Sequence, residues 1–286
     1  MIDEFGSFDA DELPTERPDT CSARVPGETR QLKRSVTSVV WPRPDIDRTV
    51  CDHKTGPMMR GSFASGDVQA VLFDSGGVLM RPIDGRWNPR ADFEETVLAH
   101  DPSITPDRFA AAVAAGDQFF ATLSSTPDYD DYHRVVLRSL GVEPTRQLLA
   151  DLCREVPPAS VLETYPEVIE TLEELDRRGV RMAVVSDAWP NLPGLHAGLG
   201  IHHFFEAYTI SAEVGCNKPD PRMYRHASIA LGLAPAQCLF IDDDPSLVAA
   251  AIELGYEGRT ICRDSSPPDL PAVPSITSLT ELLKLF

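Results

Sequence analysis

Basic residues are scarce in this chain, and lysine most of all. Four lysines (33, 54, 218, 284) stand beside 22 arginines and face 44 acidic residues, for a formal charge of -18. The first 66 residues account for only -2, with nine cations against eleven acids, so residues 67–286 carry -16. Such a surface repels phosphate backbones and anionic lipid, which argues against nucleic acid and membrane as partners. No apolar run reaches the roughly 18 residues of a membrane helix. The acidic start MIDEFGSFDADELPTERPDT also lacks the basic and apolar regions of a signal peptide, and a cytoplasmic protein is expected. Six cysteines (21, 51, 153, 216, 238, 262) form no C-x-x-C pair, and seven histidines show no metal-binding spacing. Reduced thiols packed as small apolar residues fit this pattern better than a disulfide frame or a zinc site.

What is present is enough apolar material, 42% of 286 residues, to bury a sizeable core. Residues 1–66 have little periodicity and six prolines, and read as a disordered or loosely ordered extension. Met58 and Met59 stand just before the first convincing strand, where an alternative start would fall. From Val68 the pattern turns regular. Short apolar runs at 68–73, 181–186, 207–211, 237–241 and 259–262 read as strands covered on both faces, with helical patterns between the later ones. This alternation predicts an α/β fold: a parallel, Rossmann-like sheet core with helices on both faces. Residues 84–162 interrupt it with amphipathic helices, so the expected division is a core of 67–83 and 163–286 and an inserted helical cap of 84–162. Ligands of parallel sheets bind beyond the carboxyl ends of the strands, where such a cap would roof the site.

At those strand ends stand Asp74, then Ser186 with Asp187, then Asp242, Asp243 and Asp244, while Lys218 lies in the loop AEVGCNKPDP. Clustered carboxylates need a cation, and hard oxygen ligands suit Mg²⁺. One carboxylate could instead attack phosphorus, with lysine and a serine hydroxyl holding the phosphoryl oxygens. In a chain where arginine is the default cation, a lysine at position 218 suggests that a compact ammonium is required there.

The stretches FDSGGVL, VVSDA, VGCNKPDPRMY and CLFIDDDPSLVAAAIELG, in that order and spacing, resemble the four motifs of the haloacid dehalogenase-like hydrolases over about residues 68–286. The inserted helices correspond to that family's helical cap. The resemblance implies that Asp74 is the nucleophile that becomes a phospho-aspartate and also ligates Mg²⁺. Ser186, with Asp187 beside it, would lie at the phosphate; Lys218 would bridge Asp74 and the phosphate. Asp243 would bind Mg²⁺, with Asp242 ligating it or orienting a metal-bound water. The expected substrate is a small phosphorylated metabolite, and the expected assembly a monomer or homodimer.

Two positions depart from that pattern. Phosphatases of the family usually carry a second aspartate two residues after the nucleophile, as acid to the leaving oxygen and base to water; this chain has Gly76. Gly76 can still offer its backbone carbonyl to Mg²⁺, but the proton shuttle, worth about 10² to 10⁴ in rate, is gone. That predicts a slow phosphatase, a good leaving group, or a substitute acid. Asp187 replaces the frequent asparagine, and a turn or capping role is the expectation. Arg81, Arg86, Trp87 and Arg90 near the cap entrance, and Trp189 after the second motif, are candidates for reading an anionic or aromatic substrate. Two alternatives remain open. A 2-haloacid dehalogenase also lacks the second acid, but the dense IDDD carboxylates speak for metal; a catalytically weak sensor would have little use for the full motif set. Phosphonate cleavage through a Schiff base needs a cap lysine, and there is none between 55 and 217.

Overall fold

The apolar run AVLF forms β1 (Ala70–Phe73), with all four side chains buried. A strand without a polar face has to be covered on both sides. The computed structural model, which describes residues 68–263 and 273–286, supplies that cover. After β1 come β2 (Met80–Pro82), the helices α1 (Phe93–His100), α2 (Pro106–Ala121), α3 (Asp131–Leu140) and α4 (Arg146–Leu152), and β3 (Leu162–Thr164). The chain continues through α5 (Val168–Arg177), β4 (Arg181–Ser186), α6 (Leu192–Gly198), β5 (Ala207–Ile210), α7 (Ser211–Val214) and α8 (Pro221–Ala230). It closes with β6 (Cys238–Asp242), α9 (Pro245–Glu253), β7 (Glu257–Ile261), β8 (Ser275–Ile276) and a 3₁₀ segment, Leu279–Lys284.

Six strands form one parallel sheet in the order β5-β4-β1-β6-β7-β8. Successive side chains of a strand point to opposite faces, and β1 divides its four accordingly. Val71 and Phe73 share a core with Leu172 and Leu175 of α5 and with Leu279 and Leu282 of the closing segment. Ala70 and Leu72 join Met223 and Tyr224 of α8 and Val248 and Ala251 of α9. Each fully buried leucine or phenylalanine is worth about 1.5–3 kcal/mol, whereas an exposed pair such as Arg181–Glu206 contributes about 0–1 kcal/mol. Burial on the two faces, rather than surface charge pairing, therefore holds the sheet.

Helices α1 to α4 are inserted between β2 and β3 and pack around Phe93, Val97, Phe109, Tyr132, Val136 and Leu148. Strands β2 and β3 pair antiparallel where the chain enters and leaves this bundle. Neither they nor β8 are foreseen from the sequence, since two or three residues are too few to display a period of two. Helix α7 is likewise hidden inside a stretch read as loop. Cys153, Cys216, Cys238 and Cys262 are free thiols, and among the described residues no helix is long and apolar enough to cross a membrane. The readings of residues 1–66, of Met58 and Met59, and of the cysteines and lysines within that stretch fall outside the described residues.

Candidate active site

The sheet order decides which strand ends become neighbours. β1 lies between β4 and β6, with Phe73 level with Val184 on one side and Ile241 on the other. The next residue, Asp74, donates its backbone N–H to the Ile241 carbonyl at 2.8 Å, which sets its side chain beside that of Asp242. The chain builds outward from β1 through β4 and β5 in one direction and through β6, β7 and β8 in the other. Asp74 and Asp242 thus straddle the point where the order reverses, the usual ligand position of such sheets.

Lys218 reaches the same point from the loop after α7. Its Nζ donates to Asp74 Oδ1 and to Asp242 Oδ2, both at 2.7 Å, and its side chain is only 3% exposed. Burial alone would push this ammonium down, but the two carboxylates outweigh it and hold it well above the usual lysine value. Asp187 fixes the approach: its Oδ1 accepts the Lys218 backbone N–H at 3.0 Å, and burial raises its carboxyl. Ser186, the last residue of β4, is buried beside it.

Asp243 completes the acidic group. Carboxylate oxygens of Asp74, Asp242 and Asp243 all lie within 4.8 Å of one another. Asp242 and Asp243 are both raised, first by burial and also by the charge of Asp74, with Lys218 opposing the shift. One ammonium against three carboxylates, two of them buried and Asp243 exposed, leaves a formal excess of two negative charges. A divalent cation with hard oxygen ligands would cancel it, so the residues present fit Mg²⁺. The next turn is shaped to let Asp243 in. Gly77 sits at φ 75°, and a Cβ there would lie 2.2 Å from Asp243 Oδ2, so only glycine fits both the left-handed backbone and the close carboxylate. Asp244 caps α9, accepting the Ser246 N–H at 2.8 Å, and donates its own N–H to Asp242 Oδ1 at 2.9 Å.

The position expected to hold the second acid is occupied from elsewhere. Gly76 makes a single bridge with Met80, and a Cβ on it would stand 3.0 Å from Cζ2 of Trp87 and 3.5 Å from Cε2 and Cη2. Trp87 comes from the linker between β2 and α1 and is 45% exposed. Its neighbour Arg86 ties this linker to α2 through Asp117, at 2.8 Å. The other candidates have partners of their own. Arg81 pairs with Glu163 at 2.8 Å and lies over the Tyr165 ring; Arg90 pairs with Asp92 at 2.6 Å. Trp189 ties the inserted helices to the sheet unit: its Nε1 donates to the Pro127 carbonyl at 2.9 Å, and it packs edge-on against Phe120 and Tyr129. Nearby, the Asn217 N–H donates to the Ser124 carbonyl at 3.2 Å, and Thr126 meets the Ser211 hydroxyl. The loop 123–128 between α2 and α3 therefore rests on the two loops that carry Asp187 and Lys218. A cavity of about 570 Å³ opens next to Gly77 and Asp243, lined also by Arg81, Tyr165, Glu167 and Arg263.

Sequence reading missed His196. It is fully buried, its Nε2 is 2.8 Å from the Ser75 hydroxyl and its Nδ1 is 3.0 Å from the Tyr208 hydroxyl. Burial pushes its imidazole down to about 4, so it is neutral and can donate from one nitrogen while accepting at the other. It anchors the residue after Asp74 from within the core. A single histidine in a helical stretch carries no signal of that partnership.

Comparison with known proteins gives concordant matches. The model of the haloacid dehalogenase-like hydrolase family covers residues 68–255. A phosphoserine phosphatase of Thermus thermophilus is 36% identical over 114 residues, 39% of this chain and 46% of that protein. An (S)-2-haloacid dehalogenase of Pseudomonas sp. (strain YL) is 29% identical over 164 residues, 55% of this chain and 68% of that one. The match thus spans about half the length of the phosphatase. Among solved structures, a HAD phosphatase from Thermococcus onnurineus superposes with a TM-score of 0.53 at 20% identity, over 76% of this chain and 97% of that one. That likeness concerns the fold.

Proposed function

Because the chain belongs to the haloacid dehalogenase-like hydrolase family, we propose that it is a Mg²⁺-dependent phosphatase of a small metabolite, working through an aspartyl phosphate on Asp74. The observation that carries this reading over dehalogenation is the cluster of Asp74, Asp242 and Asp243 with one ammonium among them. Attack on the carbon of a haloacid needs no cation and gives no reason to crowd three carboxylates. A Mg²⁺ ion held by Asp74, Asp242 and Asp243, with the Gly76 carbonyl as a further oxygen, would supply charge neutralisation for the phosphoryl oxygens.

The remaining work belongs to the side chains. Lys218 engages Asp74 Oδ1, which leaves the other oxygen to attack phosphorus in line with the departing group. The same ammonium, pre-oriented by Asp242 and by the loop that Asp187 holds, compensates charge on the phosphoryl group; the Ser186 hydroxyl donates to it. Water then cleaves the aspartyl phosphate and returns the Asp74 carboxylate. Phosphatase relatives support this chemistry, and dehalogenase relatives keep the second reading in play, since Gly76 suits either reaction. A panel of phosphorylated metabolites, with Mg²⁺ or EDTA, tests it on the protein and on Asp74→Asn, with halide release from 2-haloacids measured alongside. The expected result is phosphate release that needs both Mg²⁺ and Asp74. Metal-independent halide release would replace it with dehalogenation, and undiminished ligand binding without any turnover would replace it with a sensor.

A further inference from the structure

The missing acid at position 76 has a structural counterpart. The indole of Trp87 lies where a side chain on residue 76 would project, with Cζ2 3.0 Å from the place of its first carbon. A side chain there would press on the ring, which would have to give by a few tenths of an ångström, so the glycine and the tryptophan fit as a pair. Among the carboxylates around the nucleophile, Asp242 accepts from Lys218 and from the Asp244 amide and Asp187 accepts from the Lys218 amide, while Asp243 lies on the Gly77 side, grouped with Asp74 and Asp242 as a metal ligand would be. Ser75 turns its hydroxyl inward to His196, which is closed off from solvent. What faces a departing group on the Gly76 side is therefore an apolar ring, 45% exposed, rather than a proton donor.

Resting on the phosphatase reading, we infer that the substrate is a phosphate monoester of an aromatic hydroxyl, whose ring lies against Trp87 and whose oxygen leaves as the anion. In the first step an Asp74 oxygen forms the new P–O bond, and the P–O bond to the aryl oxygen breaks. The aryl oxide departs with the electron pair and takes its proton from bulk water. In the second step water adds to phosphorus, the P–O bond to Asp74 breaks, the carboxylate is regenerated, and the proton goes to phosphate or solvent. An alkoxide, far more basic than a phenoxide, cannot leave this way at a useful rate. Without a base at residue 76 the second step is also slow, so different aryl esters share one kcat.

The test is a series of aryl phosphates graded in leaving-group pKa, with alkyl phosphates of matched size, assayed in Mg²⁺ on the protein and on Trp87→Ala and Trp87→Phe. Three results are expected. The kcat/KM falls steeply as leaving-group pKa rises, while kcat stays level among aryl esters. Alkyl esters lag by about 10² or more, the usual worth of the absent acid. Trp87→Ala raises the aryl KM by about 2- to 10-fold, the usual worth of an aromatic contact, and Trp87→Phe restores most of it. Circular dichroism of both variants checks that each is folded. Phosphate release with no dependence on leaving group, or an aryl KM that is the same in folded Trp87→Ala, overturns the inference and leaves the phosphatase reading standing. No phosphate release from any ester overturns both.

Discussion

Replacing Lys218 by methionine keeps the length of the side chain and removes its charge. The ammonium sits 2.7 Å from both Asp74 Oδ1 and Asp242 Oδ2 with 3% of its side chain exposed, so the variant leaves two buried carboxylates facing each other. Breaking a buried ionic contact in this way costs about 3–5 kcal/mol. The loss should depend on pH. Burial already raises Asp242, and Lys218 is the charge that most opposes it; in the variant its folded pKa rises further. A raised carboxyl contributes stability that is fully present below its unfolded value, near 3.9, and lost as pH climbs through the folded value. The deficit relative to the parent should therefore be smaller at about pH 5 than at about pH 8, by roughly 1 kcal/mol or more, since each unit of pKa corresponds to about 1.4 kcal/mol. Urea unfolding followed by tryptophan fluorescence, in EDTA and at both pH values, measures it. A deficit below about 1 kcal/mol, or one that does not change with pH, would refute the claim that Lys218 neutralises two desolvated carboxylates.

Two further outcomes follow from the geometry. Gly77→Ala should cost about 1–2 kcal/mol for the left-handed backbone and, by pushing Asp243 aside, raise the Mg²⁺ concentration for half-maximal activity; thermal melts and a metal titration read the two effects separately. His196 and His133 are both pushed down to about 4 by burial, so the unfolded chain takes up their protons first as pH falls. Their contribution to stability should be level above about 6.5 and decline between about 6.5 and 4, by up to about 3 kcal/mol for each imidazole, so a His196→Gln variant should lose less than the parent over that range in acid urea titrations.

How much of this is legible in the sequence depends on how local the cause is. β1, β4 and β6 are continuous apolar runs, each followed at once by an acid or hydroxyl, so the sheet and the residues at its carboxyl end can be read directly. Register then brings Asp74 and Asp242 together, while Lys218 arrives on the loop that Asp187 holds. The pairing of Gly76 with Trp87 cannot be read in the same way, because it depends on the path of the linker after β2. His196 is hidden for the same reason: its partners are 121 residues before it and 12 after it. The arginines at the cap entrance are the opposite case. Their charge suggests anion binding, while the fold gives each a carboxylate partner nearby, in Glu163, Asp117 and Asp92.

The central claim is that Asp74 is the nucleophile of a phosphoryl transfer. It is tested most directly by quenching the protein in acid during turnover of an aryl phosphate with Mg²⁺ and mapping the peptides. The account predicts phosphate on the peptide carrying Asp74, trappable by borohydride as the aspartyl phosphate, and none in Asp74→Asn or in EDTA. Phosphate release with no adduct on that peptide, or with the adduct on Ser75 or Ser186, would contradict it.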